Sequence, residues 1–266
     1  MQKTILVTGS TDGIGLETAK MLISIGHLVL LHGRNPAKLK QVEKMLSALS
    51  DDGCVVSYVA DLSCIDNIEA LAKTVSEKHI QLDVLINNAG VYNAPDPVTK
   101  DGLDVRFVVN AIAPYLLTKL LLPLLGTHGR VINLSSAAQS PVDPKALVGQ
   151  RSLSDDLAYA QSKLALTMWS RNLALSLKDQ GPSIIAVNPK SLLGSKMVKQ
   201  AYGVAGADLS IGADILTRAS LSDEFSEASG KYFDNDMGQF TLPHPDALNP
   251  QKCQKIVDII ETILAK

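Results

Sequence analysis

The sequence predicts an α/β fold, a mostly parallel sheet wound with helices on both faces. Three observations carry that expectation. Short runs of Val, Ile and Leu recur without polar alternation, amphipathic stretches of helical length separate them, and a glycine-rich turn joins the first run to the first helix. Uninterrupted apolar runs suit strands buried on both faces, and strands alternating with helices give parallel crossovers. In order, the runs cover residues 4–8, 28–31, 55–59, 84–86, 131–134 and 184–187, each bounded by Gly, Asn, Asp, Ser or Pro. The spacing predicts helices over about 13–25, 36–49, 66–79, 102–125 and 156–179. Residues 229–233 read as a last edge strand. Residues 249–266 read as a final helix, with Asn249 as N-cap ahead of Pro250.

The rhythm runs through all 266 residues without a linker, repeat or low-complexity tract, so residues 1–266 are expected to form one domain. It breaks twice, at the polar stretch 137–155 with Pro141 and Pro144, and at 190–212, which is Gly-rich with scattered Leu, Met and Tyr. Long irregular segments in such folds serve as lids or substrate loops, and 190–212 is the candidate substrate loop. Hydrophobic residues at 46% and charged residues at 20% exclude disorder. Lys and Arg total 25 against 27 Asp and Glu, which leaves no basic excess for nucleic acid. Cys54, Cys64 and Cys253 form no CxxC pair, and a reducing, cytoplasmic setting is expected. A strand-like run starts by residue 4, and no signal segment is expected. The greasiest stretch, 111–125, is interrupted by Pro114, Lys119 and Pro123 and reads as a core helix, not a membrane span. His27, His32, His79, His128 and His244 show no ligand spacing, so no metal is expected; they read as surface or core histidines. Neither a GxSxG elbow nor a GxxxxGK loop occurs.

The first run ends in Thr8-Gly9-Ser10-Thr11-Asp12-Gly13-Ile14-Gly15. Glycines at a strand–helix turn let backbone approach a pyrophosphate, and the helix N-terminus offers it unpaired N–H groups. The second run ends in His32-Gly33-Arg34-Asn35, with no carboxylate to take a free ribose 2′-hydroxyl. An arginine there suits a 2′-phosphate, so NADP(H) is expected over NAD(H). On the predicted helix 156–179, Tyr159 and Lys163 stand four apart on one face. A phenol titrates near about 10, and a neighbouring ammonium is expected to lower that and permit proton exchange. Ser135 and Ser136, after the fifth run, could reach the same place. Alone, a YxxxK pair is as easily a surface pair; its weight lies in the combination.

In combination the chain resembles the short-chain dehydrogenase/reductase family over nearly its whole length. The matching residues are Gly9, Gly13 and Gly15; Asp61-Leu62; Asn87-Asn88-Ala89-Gly90; Asn110; Ser136; Tyr159 with Lys163; and Asn188-Pro189. The stretches 108–122 and 129–136, and the long interval from Ser136 to Tyr159, look most like its retinol-dehydrogenase-like branch. The resemblance implies a single-domain Rossmann fold with a mostly parallel seven-stranded sheet. It implies that Tyr159 is the acid–base, that Ser136 rather than Ser135 orients the substrate oxygen, and that Lys163 holds the nicotinamide ribose. Asn110 would support a water-mediated proton relay and Asp61 with Leu62 would meet the adenine. Ser10, Thr11, Ile14, Asn88, Ala89, Gly90, Pro189 and Ser195 would line the cofactor. The chain departs from the family pattern at Lys190, where glycine is usual, and at Ser195, where threonine is.

The implied activity is hydride transfer between NADP(H) and a carbonyl or alcohol, as in a carbonyl reductase. The wall expected of the loop (Leu192, Leu193, Met197, Val198, Tyr202 and Val204) is apolar and favours a lipophilic small-molecule substrate. The alternatives are a nucleotide-sugar epimerase or dehydratase on this fold, and a non-catalytic NADP(H)-binding sensor or scaffold. The former usually carries a longer C-terminal domain and a differently spaced glycine turn; the latter sits badly with the intact Tyr159–Lys163 pair. In many members the two long helices pack across a two-fold axis, so a homodimer or homotetramer is expected, with internal packing as the competing use of the same stripes.

Overall fold

The computed structural model describes residues 1–49 and 54–266. Its sheet has eight strands in the order β3-β2-β1-β4-β5-β6-β7-β8, parallel throughout except for the last pair. In chain order the strands are β1 (Thr4–Val7), β2 (Leu28–Gly33), β3 (Cys54–Val59), β4 (Val84–Asn87), β5 (Arg130–Leu134), β6 (Ser183–Asn188), β7 (Tyr232–Asp234) and β8 (Gln239–Thr241). The helices are α1 (Gly13–Ser24), α2 (Pro36–Leu46), α3 (Ile65–Lys78), α4 (Val105–Phe107), α5 (Ala113–Leu125), α6 (Pro144–Leu147), α7 (Asp155–Leu177), α8 (Lys196–Tyr202), α9 (Leu209–Leu221) and α10 (Pro250–Leu264). The order reverses between β1 and β4, which opens a crevice beyond the C-terminal ends of the strands.

Strand side chains alternate between two cores. Ile5, Val7, Ile86, Ile132 and Val187 face α1, α2 and α9, whereas Leu6, Leu85, Val131 and Ile184 face α3, α5, α7 and α10. Burial on both faces is why these strands carry no polar period. The expected seventh strand is present as β7, but it is not the edge. A turn through Gly238, at φ +68°, folds β8 back antiparallel on β7, and Phe225, Phe233 and Phe240 pack together beneath this hairpin. Two three-residue strands leave too short a pattern to read from sequence.

The helix expected over 102–125 is α4 and α5 joined by a π-helical turn, Val108–Ile112. The continuous stretch Val105–Leu125 is long and apolar enough by composition to cross a membrane, but most of it is buried inside the fold. Arg106, only 2% exposed, is paired with Asp104 and Asp155 and ties α4 to the start of α7. Helix α9 lies in a region with no expected helix; Ile215, Leu216 and Ala219 pack it against the α1 side. Part of the apolar stripe on α7 is covered within the chain by α10, through Ile256 and Ile260, and Glu261 takes Tyr115 Oη and pairs with Lys119 of α5.

Candidate active site

Beyond β1, β2, β4, β5 and β6 runs one cleft of about 540 Å³. Its floor at one end is the glycine turn. Gly9 and Gly13 have φ of +65° and +56°, the left-handed region where a side chain costs most. A methyl on Gly9 would lie 2.9 Å from Ala89 Cα, and one on Gly15 would overlap Asn88 Nδ2. A methyl on Gly13 would meet only Ser195 Cβ, at 3.9 Å, so Gly13 opens to the cleft. Asp12 caps α1 by accepting from Gly13 N at 2.9 Å, leaving other first-turn N–H groups for an anion.

Two struts fix this turn. Asn88 N and Ala89 N both donate to Thr8 Oγ1 at 3.0 Å, and Asn88 Nδ2 donates to Thr8 O and Gly9 O. His32 is the second. Its Nε2–H donates to Ala60 O at 3.1 Å, which leaves Nδ1 to accept from Gly9 N, also at 3.1 Å. Burial pushes the imidazole pKa down to about 4, against the smaller opposing effects of Ala60 O and Asp61, so the ring is neutral in this role. His32 thus does more than fill a core position. A histidine closing a strand opposite a glycine turn was the available signal, but without the strand register it points nowhere.

Thr11, Ile14, Arg34, Asp61, Leu62, Asn88, Ala89, Gly90, Pro189 and Ser195 line the cleft with Gly9 and Gly13. Ser10 and Gly15 lie behind it. Ser10 is fully buried, its Oγ accepting from His32 N at 2.9 Å and donating to His32 O, so its side chain joins β1 to β2. Asp61 Oδ1 accepts from Ser63 N and Oγ, which holds the carboxylate at the end of β3. Arg34 stands exposed at the end of β2. These features fit a dinucleotide laid along the strand ends.

At the other end, Tyr159 and Lys163 reach the cleft from α7. Lys163 is 4% exposed; its Nζ donates to Leu134 O at 2.7 Å and sits 5.6 Å from the Tyr159 ring centroid. Burial dominates both groups. Tyr159 is pushed up to about 12 by burial, with its hydrogen bond to Ser136 pulling the other way and Tyr202 adding to the rise. Lys163 is pushed down to about 8 by burial alone. The net direction for Tyr159 is thus up, opposite to the lowering expected from Lys163, which is not among the groups that shift it. The result is a phenol that stays protonated at neutral pH.

The two serines separate. Ser135 lines the cleft and Ser136 does not, but Ser135 Oγ is buried and shared with Thr167 Oγ1 at 2.7 Å, joining the end of β5 to α7. Ser136 Oγ accepts from Ala138 N at 3.1 Å and bonds Tyr159, while its carbonyl accepts from Gln139 Nε2 and Tyr232 Oη. Asn110, in the π-helical turn, does not line the cleft. Its Oδ1 accepts from Val91 N at 2.8 Å and its Nδ2 donates to Val91 O and Ser162 Oγ, each at 2.9 Å. A methyl on Gly90 would touch both Asn110 Oδ1 and Lys163 Nζ, at 3.4 and 3.6 Å, so both side chains lie against the face that this glycine leaves open.

The loop 190–212 is ordered by its own contacts. Gly194 N donates to Ala207 O and Ala207 N to Leu192 O, closing a neck where Gly206 packs on Gly194. Within it, Ser195 caps α8 by accepting from Val198 N. Lys190 keeps a glycine-like φ of +117°, and Leu192 has φ +52°. Of the expected apolar wall, Met197 lines the cleft. Leu193 instead turns inward, 2% exposed, against Gly212. Tyr92, not singled out in the sequence, completes an aromatic ladder: its ring centroid lies 5.1 Å from Tyr159 and 5.9 Å from Tyr202.

The short chain dehydrogenase family model matches residues 3–203. Retinol dehydrogenase 13 of Homo sapiens is 31% identical over 273 positions, covering 96% of this chain and 82% of that protein. Among solved structures, a metagenomic short-chain oxidoreductase in complex with NADP is 30% identical with a TM-score of 0.64, over 84% of this chain and 92% of its own. An uncharacterized protein from Mycobacterium paratuberculosis has a TM-score of 0.83 over 100% of this chain and 94% of its own; at 24% identity that is a likeness of fold. The glycine turn, the strand-end residues and the Tyr159–Lys163 pair thus sit in a chain that belongs to the short-chain dehydrogenase/reductase family, in its retinol-dehydrogenase-like branch.

Proposed function

We propose that this protein is an NADP(H)-dependent oxidoreductase that reduces an apolar carbonyl, with Ser136, Tyr159 and Lys163 as its catalytic residues. The observation that carries the reading is that Tyr159, bonded to Ser136, and Lys163 line one end of a cleft whose other end is the glycine turn. A bound nicotinamide supplies hydride to the carbonyl carbon. Ser136 Oγ orients the carbonyl oxygen, and Tyr159, neutral at physiological pH, gives it the phenol proton. Lys163 holds the ribose and stabilises the phenolate left behind; Asn110, backed by Ser162, supports its reprotonation through solvent. Gly9, Thr11, Gly13 and Ile14 would cradle the pyrophosphate, Asp61 and Leu62 the adenine, and Asn88 to Gly90, Pro189 and Ser195 the nicotinamide half.

Arg34 and the lack of a carboxylate beside it support NADP(H), as does the NADP held by the 30%-identical oxidoreductase. Met197 and the Tyr92–Tyr202 edge support an apolar substrate, with 190–212 as the substrate loop of a single domain 1–266. Three free thiols support a reducing compartment, and the cytoplasm is the setting we propose. The test is cofactor fluorescence titration with NADPH and NADH, then a carbonyl panel read by loss of NADPH absorbance. Turnover abolished by Tyr159→Phe, with NADPH binding retained, is the expected result. Tight NADPH binding with no turnover over a broad panel would instead favour a sensor.

A further inference from the structure

A single carboxylate oxygen at the mouth of the cleft serves two ammonium groups from opposite sides. Asp12 Oδ2 lies 2.8 Å from Lys38 Nζ of α2 and 2.6 Å from Lys196 Nζ of α8. All three residues line the cleft with Arg34, which has no carboxylate partner among the described residues. The cluster therefore carries three cations against one anion, next to the turn that opens through Gly13. Its ion pairs are exposed: the side chains of Lys38, Asp12 and Lys196 are 39%, 45% and 75% accessible. Exposed pairs of this kind are weak and exchange readily for a better anion. A phosphate offers more charge and three acceptor oxygens.

We propose that Asp12 is a placeholder that holds Lys38 and Lys196 ready for the two phosphate groups of the cofactor. Lys38 then joins Arg34 on the ribose 2′-phosphate, and Lys196 meets the pyrophosphate. Position divides the roles. Lys38 sits in the first turn of α2, three residues past Asn35 and at the same strand end as Arg34. Lys196 directly follows Ser195, whose Cβ is the nearest atom to the open face of Gly13. Because Lys196 begins α8, this contact ties the substrate loop to the phosphate turn. The inference rests on the NADP(H) reading and adds residues to it.

The test measures Kd for NADPH and NADH with the full chain, by cofactor fluorescence, for wild type, Lys38→Gln, Lys196→Gln and Asp12→Asn. Each change is on an accessible side chain, and Asn at 12 keeps the cap. Lys38→Gln is expected to weaken NADPH about 10-fold and NADH less than about 2-fold. Lys196→Gln is expected to weaken both cofactors by a similar factor. Asp12→Asn is expected to tighten NADPH several-fold and to steepen its loss with salt. Equal weakening of both cofactors by Lys38→Gln, no weakening by Lys196→Gln, or looser NADPH binding in Asp12→Asn would each overturn the part assigned to that residue. A wild type that binds NADH as tightly as NADPH would overturn the NADP(H) reading itself.

Discussion

His32 makes the phosphate turn sensitive to acid. In the folded chain its Nδ1 must stay unprotonated to accept from Gly9 N, and burial holds its pKa at about 4. Unfolded, it titrates near the ordinary imidazole value of 6.5. Between those values the unfolded chain carries a proton that the folded chain lacks, so folding stability falls as pH drops through this window and does not change with His32 above it. Each pH unit is worth about 1.4 kcal/mol, so His32 should account for more than 2 kcal/mol of the loss between pH 7 and pH 4.5. The measurement is urea unfolding at both pH values, for wild type and for His32→Gln. Carboxylates contribute to acid sensitivity equally in the two proteins, and their difference isolates the imidazole. The variant is expected to be less stable at pH 7 but to lose less on acidification, and to bind NADPH more weakly because Gly9 is unpinned. Parallel losses in the two proteins would refute the argument.

Other outcomes follow from the same geometry. Reductase activity should decline as pH rises through about 8, where Lys163 loses its charge while Tyr159 keeps its proton to about 12; Lys163→Arg should move that limb to higher pH. Lys190→Gly should be more stable than Lys190→Ala by about 1 kcal/mol, since both remove the charge near Asp236 but only glycine suits φ +117°, and thermal melting should separate them by about 2–4 °C. Tyr202→Ala should raise KM for an aromatic ketone about 5-fold more than for a small aliphatic one, leaving kcat nearly unchanged, because it removes the accessible rung of the ladder.

The strands of the parallel sheet and most helices were legible because each long strand is a largely apolar run with turn residues at both ends. The candidate residues were read as strand-end motifs, and the choice of Ser136 over Ser135 rests on resemblance. What stayed hidden depended on register. Whether Ser10 faces the cleft or His32 is settled by how β1 and β2 pair, and whether Leu193 lines a wall or anchors it by the neck at Gly194. Helix α9 was missed because Gly212 and its small residues blur the period that α1 reads from the other side. The pKa order of Tyr159 and Lys163 follows from burial, and spacing along a helix says nothing of depth.

The strut between Thr8 and Asn88 joins residues 80 positions apart, across the central pairing of β1 with β4. The turn is therefore built by both halves of the sheet. A fragment ending after β3 would contain all three glycines and still lack the amides and side chain that hold them. A ligand gripping this turn cannot stabilise one half alone. At 100 times its Kd, NADPH should add about 2.7 kcal/mol to unfolding in one cooperative transition, with no early release of the second half. Contacts that join chain this far apart, slow to form because so much chain must be ordered first, are thus the ones the cofactor repays.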